Sequence, residues 1–292
     1  MSELALAAFA AETSSHVVGR PRDGRFAAFA RAFDERAFRA RLHARGFRWL
    51  PRSDPAFPPL LAAIHDPPVG LFLRGSADAA VLARPAVAVV GARSCSPYGA
   101  QVARALGREL AGAGLVVVSG MARGIDGEAH RGALETGGVT VAVLGCGIDR
   151  DYPVSHRELA ARIAASGLIV SEYAPGVEPA PWRFPARNRI VAGLAVATVV
   201  VEAREASGAL ITADLALEEG REVLAVPGEI TSALSAGTNR LLRLGATPVT
   251  GIADALDAVG VERLAGAPPA VSDEAAAVLA ALADGAAAPD EL

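Results

Sequence analysis

The chain has 292 residues, a net charge of −4, and a composition that is 52% hydrophobic but only 5% aromatic. This size and apolar content are sufficient for one large α/β domain with smaller appendages. No run of about 18 consecutive apolar residues is present, which disfavours a membrane-spanning helix, and the amino terminus lacks the basic segment of a secretory signal. The two cysteines, Cys95 and Cys146, exclude a disulfide framework and a zinc site. We therefore expect a cytoplasmic protein without membrane association.

Charge is unevenly distributed along the chain. Residues 1–52 contain ten arginines and five acidic residues, whereas residues 251–292 contain one arginine and eight acidic residues. Lysine is absent, so phosphate would be met by arginine, whose planar guanidinium can form two parallel hydrogen bonds with it. The net negative charge argues at first against a nucleic-acid partner, but local arginine clusters matter more than the sum.

The amino-terminal part predicts small elements. Residues 1–52 are expected to form a helical region, with helices beginning at Ala27 and covering 38–44. Turn signals then surround a short helix at 60–64 and a short strand at 70–73.

From residue 86 onward, apolar runs alternate regularly with helical spacing. We predict strands at 86–90, 115–119, 139–144, 168–172, 196–202, 223–226 and 247–249. Helices are predicted at 98–113, 126–136, 155–165, 186–194, 209–219 and 238–244. This alternation is typical of right-handed βαβ units, and it predicts an α/β domain over 53–260 with a doubly wound, mostly parallel sheet. Residues 261–292 are expected to contain a linker and a single helix that begins near Ser272.

In such a sheet, ligands bind beyond the carboxyl ends of the strands, so the loops there are the candidate site. The first loop carries Gly91, Arg93 and Ser94 before a helix. A close backbone turn, free helix N–H groups and a guanidinium favour phosphate binding. The spacing is not G-x-G-x-x-G, so a nicotinamide dinucleotide is not supported. A plain strand-to-helix turn is the alternative interpretation.

The second loop carries Ser119, Gly120 and Arg123. Asp126 follows at the position expected for a helix N-cap, and His130 comes four residues later. These two residues could form an acid–base pair, but we favour a cap and a histidine on the helix face.

The third loop interleaves aromatic residues with arginine. Its candidate residues are Arg183, Phe184, Arg187, Asn188 and Arg189. Rings that stack bases and guanidiniums that bind the backbone are typical of single-stranded nucleic-acid binding. The alternative is that Phe184 or Trp182 anchors the core while the arginines cap surface groups.

A later loop adds Ser207 and Gly208 at the start of another helix. The sequence contains no nucleophile elbow, no P-loop and no metal-ligand cluster. We therefore expect no catalytic residue, no metal and no cofactor, and we interpret Cys95 as incidental.

Taken in order, the strand-end blocks resemble the DNA-processing protein A family, also called Smf, over about residues 50–256. The blocks are Asp66-Pro67-Pro68, Val89 to Arg93, Ser119 to Asp126 with His130, Gly145 to Asp149 with Tyr152-Pro153, Ser171-Glu172-Tyr173, Phe184 to Arg189, Ser207 to Thr212, and Val226-Pro227-Gly228.

The resemblance implies an extended Rossmann-like fold that binds incoming single-stranded DNA in natural transformation, protects it from nucleases and helps load RecA onto it. It also implies a homodimer without catalytic activity, and a DNA pocket that uses Arg93, Phe184, Arg187 and Arg189. Many family members end in a winged-helix domain, of which residues 261–292 resemble only a truncated first portion.

A second function remains open, that of a Rossmann-like enzyme resembling nucleoside-monophosphate phosphoribohydrolases. Those enzymes carry a Pro-Gly-Gly-x-Gly-Thr loop, whereas Pro227-Gly228 is followed here by Glu229-Ile230. The missing loop disfavours this alternative.

Overall fold

A computed structural model describes residues 2–13 and 24–260 of the protein. These residues belong to one compact unit that ends at Gly260. The predicted linker and winged-helix-like segment over 261–292 lie outside the described residues.

The described chain alternates helices with strands over most of its length. The helices are α1 (Glu3–Thr13), α2 (Gly24–Ala32), α3 (Glu35–Ala44), α4 (Pro59–Ala62), α5 (Pro97–Gly112), α6 (Ile125–Glu135), α7 (Arg157–Ser166), α8 (Arg183–Leu194), α9 (Gly208–Glu218), α10 (Ala236–Arg243) and α11 (Ile252–Asp257). The strands are β1 (Phe47–Pro51), β2 (Gly70–Arg74), β3 (Ala86–Val90), β4 (Val116–Ser119), β5 (Thr140–Val143), β6 (Leu168–Ser171), β7 (Ala197–Val200), β8 (Glu222–Ala225) and β9 (Thr247–Pro248). Two short 3₁₀ turns cover Ala79–Ala83 and Val154–His156.

The strands form one nine-stranded sheet in the order β1-β2-β6-β5-β4-β3-β7-β8-β9. Strands β3 to β9 pair in parallel, whereas β1 pairs antiparallel with β2 and β2 antiparallel with β6. The chain proceeds outward from β3 to β6 and then crosses back to place β7 on the other side of β3. The predicted doubly wound, mostly parallel sheet is confirmed, and its topological switch point lies between β3 and β7.

Helices cover both faces of the sheet, which explains why its central strands β3 to β7 are largely apolar. Val141 and Val143 of β5 face the helices α8 and α9, whereas Ala142 faces the side covered by α1 and α7. Because both faces are buried, the strand positions read as continuous apolar runs in the sequence. The predicted bounds of β3 to β9 agree with the structure to within two residues at each end.

Two amino-terminal elements have bounds that the sequence does not predict, although α1 lies in the region 1–52 that is predicted to be helical. Helix α1 is almost uniformly apolar and shows no amphipathic period, since residues all round it are buried. Strand β1 lies at the edge of the sheet, in the region that was expected to be helical. Arg48 interrupts the apolar run of this strand. The structure accommodates it because its guanidinium donates hydrogen bonds to the carbonyls of Gly75 (3.0 Å) and Ala77 (2.7 Å).

Helices α5 and α6 pack in very close contact. At Gly107, any side chain would collide with the carbonyl of Ala129, and at Gly132 it would collide with that of Arg104. This close packing fixes the position of α5 against α6, the two helices that follow β3 and β4. Among the described residues, no helix combines the length and apolar content needed to cross a membrane.

Candidate nucleic-acid interface

A groove lies beyond the carboxyl ends of β3, β4 and β5, next to the switch point. It consists of two adjoining cavities of about 290 and 200 Å³. Both cavities are lined by Arg93, Gly120, Ala122, Phe184 and Arg187. The larger cavity continues along the segment 152–155, and the smaller one continues to Asn188, Ser207 and Gly208.

The loop between β3 and α5 is held in place by Glu202, a buried residue just after β7. The Glu202 carboxylate accepts hydrogen bonds from the Ser96 amide (2.9 Å) and hydroxyl (2.5 Å). The Ser96 hydroxyl oxygen in turn accepts from the Gly99 amide and so caps α5. This anchor fixes the inner part of the loop and leaves Arg93 and Ser94 exposed on its outer side.

Cys95 in the same loop has a thiol of low reactivity. Burial and the neighbouring Glu202 carboxylate raise the pKa of its thiol. A raised pKa keeps the thiol protonated near neutral pH, so the side chain is a poor nucleophile.

Arg93 packs against an aromatic pair inside the groove. Its guanidinium carbon lies 5.3 Å from the centroid of the Phe184 ring, within cation–π range. The Tyr152 ring stacks on Phe184 with centroids 5.2 Å apart and an angle of 24° between the planes. Tyr152 is 41% exposed, and within residues 2–13 and 24–260 no carboxylate pairs with Arg93. The arrangement presents an unpaired cation beside two rings.

The sequence pattern does not identify Tyr152 as a site residue. Tyr152 belongs to the Tyr-Pro block of the family resemblance, but nothing in its local pattern links it to Phe184. Tyr152 follows β5, and Phe184 lies in the first turn of α8, which follows β6. The two residues meet because these neighbouring parallel strands end at the same edge of the sheet.

Arg123 is a second exposed cation at the groove, and it follows an unusual turn. Met121 has a φ of 62°, which is disfavoured for a residue with a side chain. The Asp126 carboxylate accepts hydrogen bonds from the amides of Gly120 (3.1 Å) and Ala122 (3.3 Å). The turn is therefore held from inside by a buried acid.

The predicted N-cap role of Asp126 is wrong. Helix α6 begins at Ile125, and its cap position is occupied by Gly124, whose φ of 73° favours glycine. Asp126 lies in the first turn, where it binds the preceding loop instead. His130 does not pair with it, because the Nδ1 atom of His130 lies 2.7 Å from the Thr140 hydroxyl oxygen.

Arg187 forms the buried floor of the groove. Its guanidinium donates to the carbonyls of Gly120 (2.6 Å) and Val143. A side chain at position 120 would come within 2.6 Å of this guanidinium and 2.7 Å of the Asp126 carboxylate, so only glycine leaves room for both. Burial raises the pKa of Asp126, while the Arg187 charge and the two backbone amides oppose that shift.

Arg189 and Arg183 are directed away from the groove. Arg189 is buried and ion-paired with Asp66 (2.9 Å) and Glu172 (2.7 Å). Arg183 is also buried; it donates to the Glu178 carbonyl, and its guanidinium lies over the rings of Trp182 and Tyr173. Arg189 thus binds carboxylates far away in the chain, and Arg183 binds the loop before α8. The local sequence pattern does not reveal either set of contacts.

The structure therefore brings together most, but not all, of the predicted site residues. Those that line the groove are Gly91, Arg93, Gly120, Arg123, Phe184, Arg187, Asn188, Ser207 and Gly208. Those that do not line it are Ser94, Ser119, Arg183 and Arg189. Ser119 is buried and donates to the Val89 carbonyl (2.6 Å), so it links two strands. Within the described residues, no group of three or more potential ligands could hold a metal ion.

Residues 48–260 match the family model described as DNA recombination-mediator protein A. The chain belongs to this family. It is 46% identical over 207 residues to the DNA processing protein DprA of Streptococcus pneumoniae, covering 70% of this chain and 71% of that protein. It is 44% identical over 202 residues to the protein Smf of Escherichia coli, covering 69% of this chain and 54% of that protein.

Solved structures from the same family share the fold. The X-ray structure of DprA from S. pneumoniae aligns with a TM-score of 0.72 at 38% identity and covers 87% of this chain and 92% of that one. A DprA structure from Helicobacter pylori aligns with a TM-score of 0.65 at 33% identity and covers 72% of this chain and 94% of that one. The latter structure was described for its single-stranded DNA binding mode.

Membership in this family decides between the two functions left open by the sequence. The family is a family of recombination mediators, and the relatives carry no enzymatic names. The phosphoribohydrolase-type alternative is therefore not favoured.

Proposed function

We propose that the groove binds single-stranded DNA and that the protein protects incoming DNA and helps load RecA onto it during natural transformation. We further propose that it acts in the cytoplasm as a homodimer. The RecA, dimer and transformation roles follow from the family resemblance, whereas the lining of the groove supports the location of the DNA site.

The observation that carries the DNA-binding proposal is the contact of Arg93 with Phe184 beside Tyr152. Exposed aromatic rings stack bases without regard to sequence, and an unpaired guanidinium binds the backbone phosphates. In duplex DNA the bases are already stacked on each other, so rings inside a groove favour the single strand. The single-strand preference is thus a consequence of the aromatic pair.

The charges around the groove fit a phosphate chain. Arg93 and Arg123 are exposed at the lining, and neither is ion-paired in the part of the chain that the structure describes. The smaller cavity adds the exposed start of α9 at Gly208, where the Ala209 and Leu210 amides already donate to Ser207, so this end of the helix contributes its positive dipole end to the groove. Arg187 and Arg189 are assigned a structural role, because their guanidiniums bind backbone carbonyls and carboxylates of the protein.

The proposal is tested by fluorescence anisotropy with labelled oligo-dT and with a duplex of equal length, each over a series of salt concentrations. We expect tighter binding of oligo-dT and a linear fall of log K with log salt, caused by counterion release. Equal affinity for the two substrates would contradict the single-strand proposal. An AMP-hydrolysis assay on the same preparation tests the enzymatic alternative, for which we expect no turnover.

A further inference from the structure

The turn that carries Arg123 depends on a residue outside the groove. Met121 is the one residue other than glycine with a positive φ among the described residues, and its side chain is buried. A left-handed conformation at a side-chain-bearing residue persists only when its surroundings hold it. Asp126 holds the amides on either side of Met121, which leaves the Met121 carbonyl to be accounted for.

His156 holds that carbonyl. Its Nδ1 atom lies 3.1 Å from the Met121 oxygen, and the histidine is buried. A carbonyl oxygen can only accept, so Nδ1 carries the proton and donates. The ring lies directly on the first turn of α6, where a side chain at Gly127 would approach it to 2.7 Å.

His156 also belongs to the opposite segment of the groove lining. Tyr152, Pro153, Val154 and Ser155 line the larger cavity, and His156 is the next residue. The loop from Gly120 to Arg123 lines the same cavity. The hydrogen bond from His156 to Met121 therefore joins the segment that carries Tyr152 to the turn that carries Arg123.

We propose that His156 is a positioning residue for single-stranded DNA, which fixes the Met121 turn and thereby places Arg123 against the backbone of the bound strand. His156 itself does not line the groove, so it acts through Arg123 without touching the DNA. The inference rests on the proposed DNA-binding function and adds a residue that neither the sequence motifs nor the groove lining identifies.

The test compares His156→Ala, His156→Asn and His156→Gln in the full chain by oligo-dT titration over a salt series. Asn can place its amide N–H near the position of Nδ1, whereas Gln reaches towards Nε2. We expect His156→Ala and His156→Gln to bind on the order of tenfold more weakly, as for the loss of one charge-assisted contact. Their salt slope should fall by about 0.7, the value for one phosphate of a single strand. His156→Asn should bind like the unmodified protein.

A double variant distinguishes the positioning role from a purely structural one. If His156 acts by placing Arg123, then Arg123→Ala combined with His156→Gln should bind no more weakly than Arg123→Ala alone, because both changes remove the same contact. Fully additive losses, or an unchanged salt slope in His156→Gln, would overturn the inference. If His156→Ala does not fold, the Asn and Gln variants decide the result by the same criteria.

The same titration separates failure of this inference from failure of the proposed function. An unmodified protein that shows no preference for oligo-dT over duplex overturns both. An unmodified protein that prefers oligo-dT and loses affinity on Arg93→Ala, with His156→Gln behaving as unmodified, overturns only the role of His156.

Discussion

Replacing Arg93 with alanine removes an exposed cation from the groove and should weaken DNA binding more than it destabilises the fold. The guanidinium contacts the Phe184 ring at 5.3 Å, and no carboxylate of the described residues pairs with it. A cation–π contact at an exposed position contributes about 0.5–1 kcal/mol. We therefore expect the free energy of unfolding to fall by no more than about 1 kcal/mol.

The effect on DNA binding should be larger. A hydrogen bond to a charged group contributes roughly 1.5–3 kcal/mol, and replacement by water recovers part of it, so a loss of about 1–3 kcal/mol is expected. This corresponds to roughly fivefold to 150-fold weaker binding of oligo-dT. Loss of one phosphate contact should also lower the salt slope by about 0.7.

The assay is an anisotropy titration of oligo-dT over several salt concentrations, with thermal unfolding of the same samples as a check on folding. Arg108→Ala is the matched control, since Arg108 is an exposed arginine near the far end of α5, away from the groove. Its ion pair with Glu109 is exposed and contributes little. The reasoning is refuted if Arg93→Ala binds normally, or if Arg108→Ala loses as much affinity and slope.

Three further predictions concern the ring, the buried arginine and acid stability. Phe184→Ala should weaken oligo-dT binding by about 1–3 kcal/mol per stacked base, while Phe184→Tyr keeps a ring and should bind normally; unchanged binding by the alanine variant would refute the stacking role alone. Arg189→Met should lower the free energy of unfolding in a urea titration by about 3–5 kcal/mol, because the largely buried Glu172 carboxylate loses the guanidinium that pairs with it; a loss below about 1 kcal/mol would refute that role. Burial lowers the pKa of His130 from 6.5 to about 3. Below about pH 6.5, His130 is therefore protonated in the unfolded chain but stays neutral in the folded protein. The free energy of unfolding decreases as pH falls from there towards 3, by about 2 kcal/mol between pH 7 and 5. His130→Asn should flatten this part of the melting-temperature profile, and an unchanged profile would contradict the assignment.

The sheet could be predicted from the sequence because its strands are buried on both faces. Val87 to Val90 and Val116 to Val118 are almost fully inaccessible, and such runs between helical segments are distinctive. The edge strand β1 could not be predicted in this way, since Arg48 and Pro51 break its apolar pattern. Helix α1 lies within the region 1–52 that the sequence predicts to be helical, but its uniform apolarity hides the helical period and therefore its bounds.

The candidate site was predictable only in part, because topology and local motif carry different information. The ends of parallel strands meet at one edge, so the proximity of Arg93, Gly120 and Phe184 follows from the strand assignment. Whether an arginine is exposed or buried depends on partners elsewhere in the chain, which are carbonyls for Arg187 and carboxylates for Arg189. Glu172 and Asp66 form ion pairs with Arg189, and nothing in the sequence near the Arg-Asn-Arg segment indicates these pairs.

The location of the bound strand is tested most directly by photo-crosslinking. An oligo-dT that carries single 5-iodouracil substitutions is irradiated with the full chain, and the crosslinked peptides are identified by mass spectrometry. We predict crosslinks to Phe184 or Tyr152, which Arg93→Ala reduces and Arg108→Ala does not. Crosslinks confined to the opposite edge of the sheet, around Arg84 and Arg108, would contradict the assignment of the groove as the DNA site.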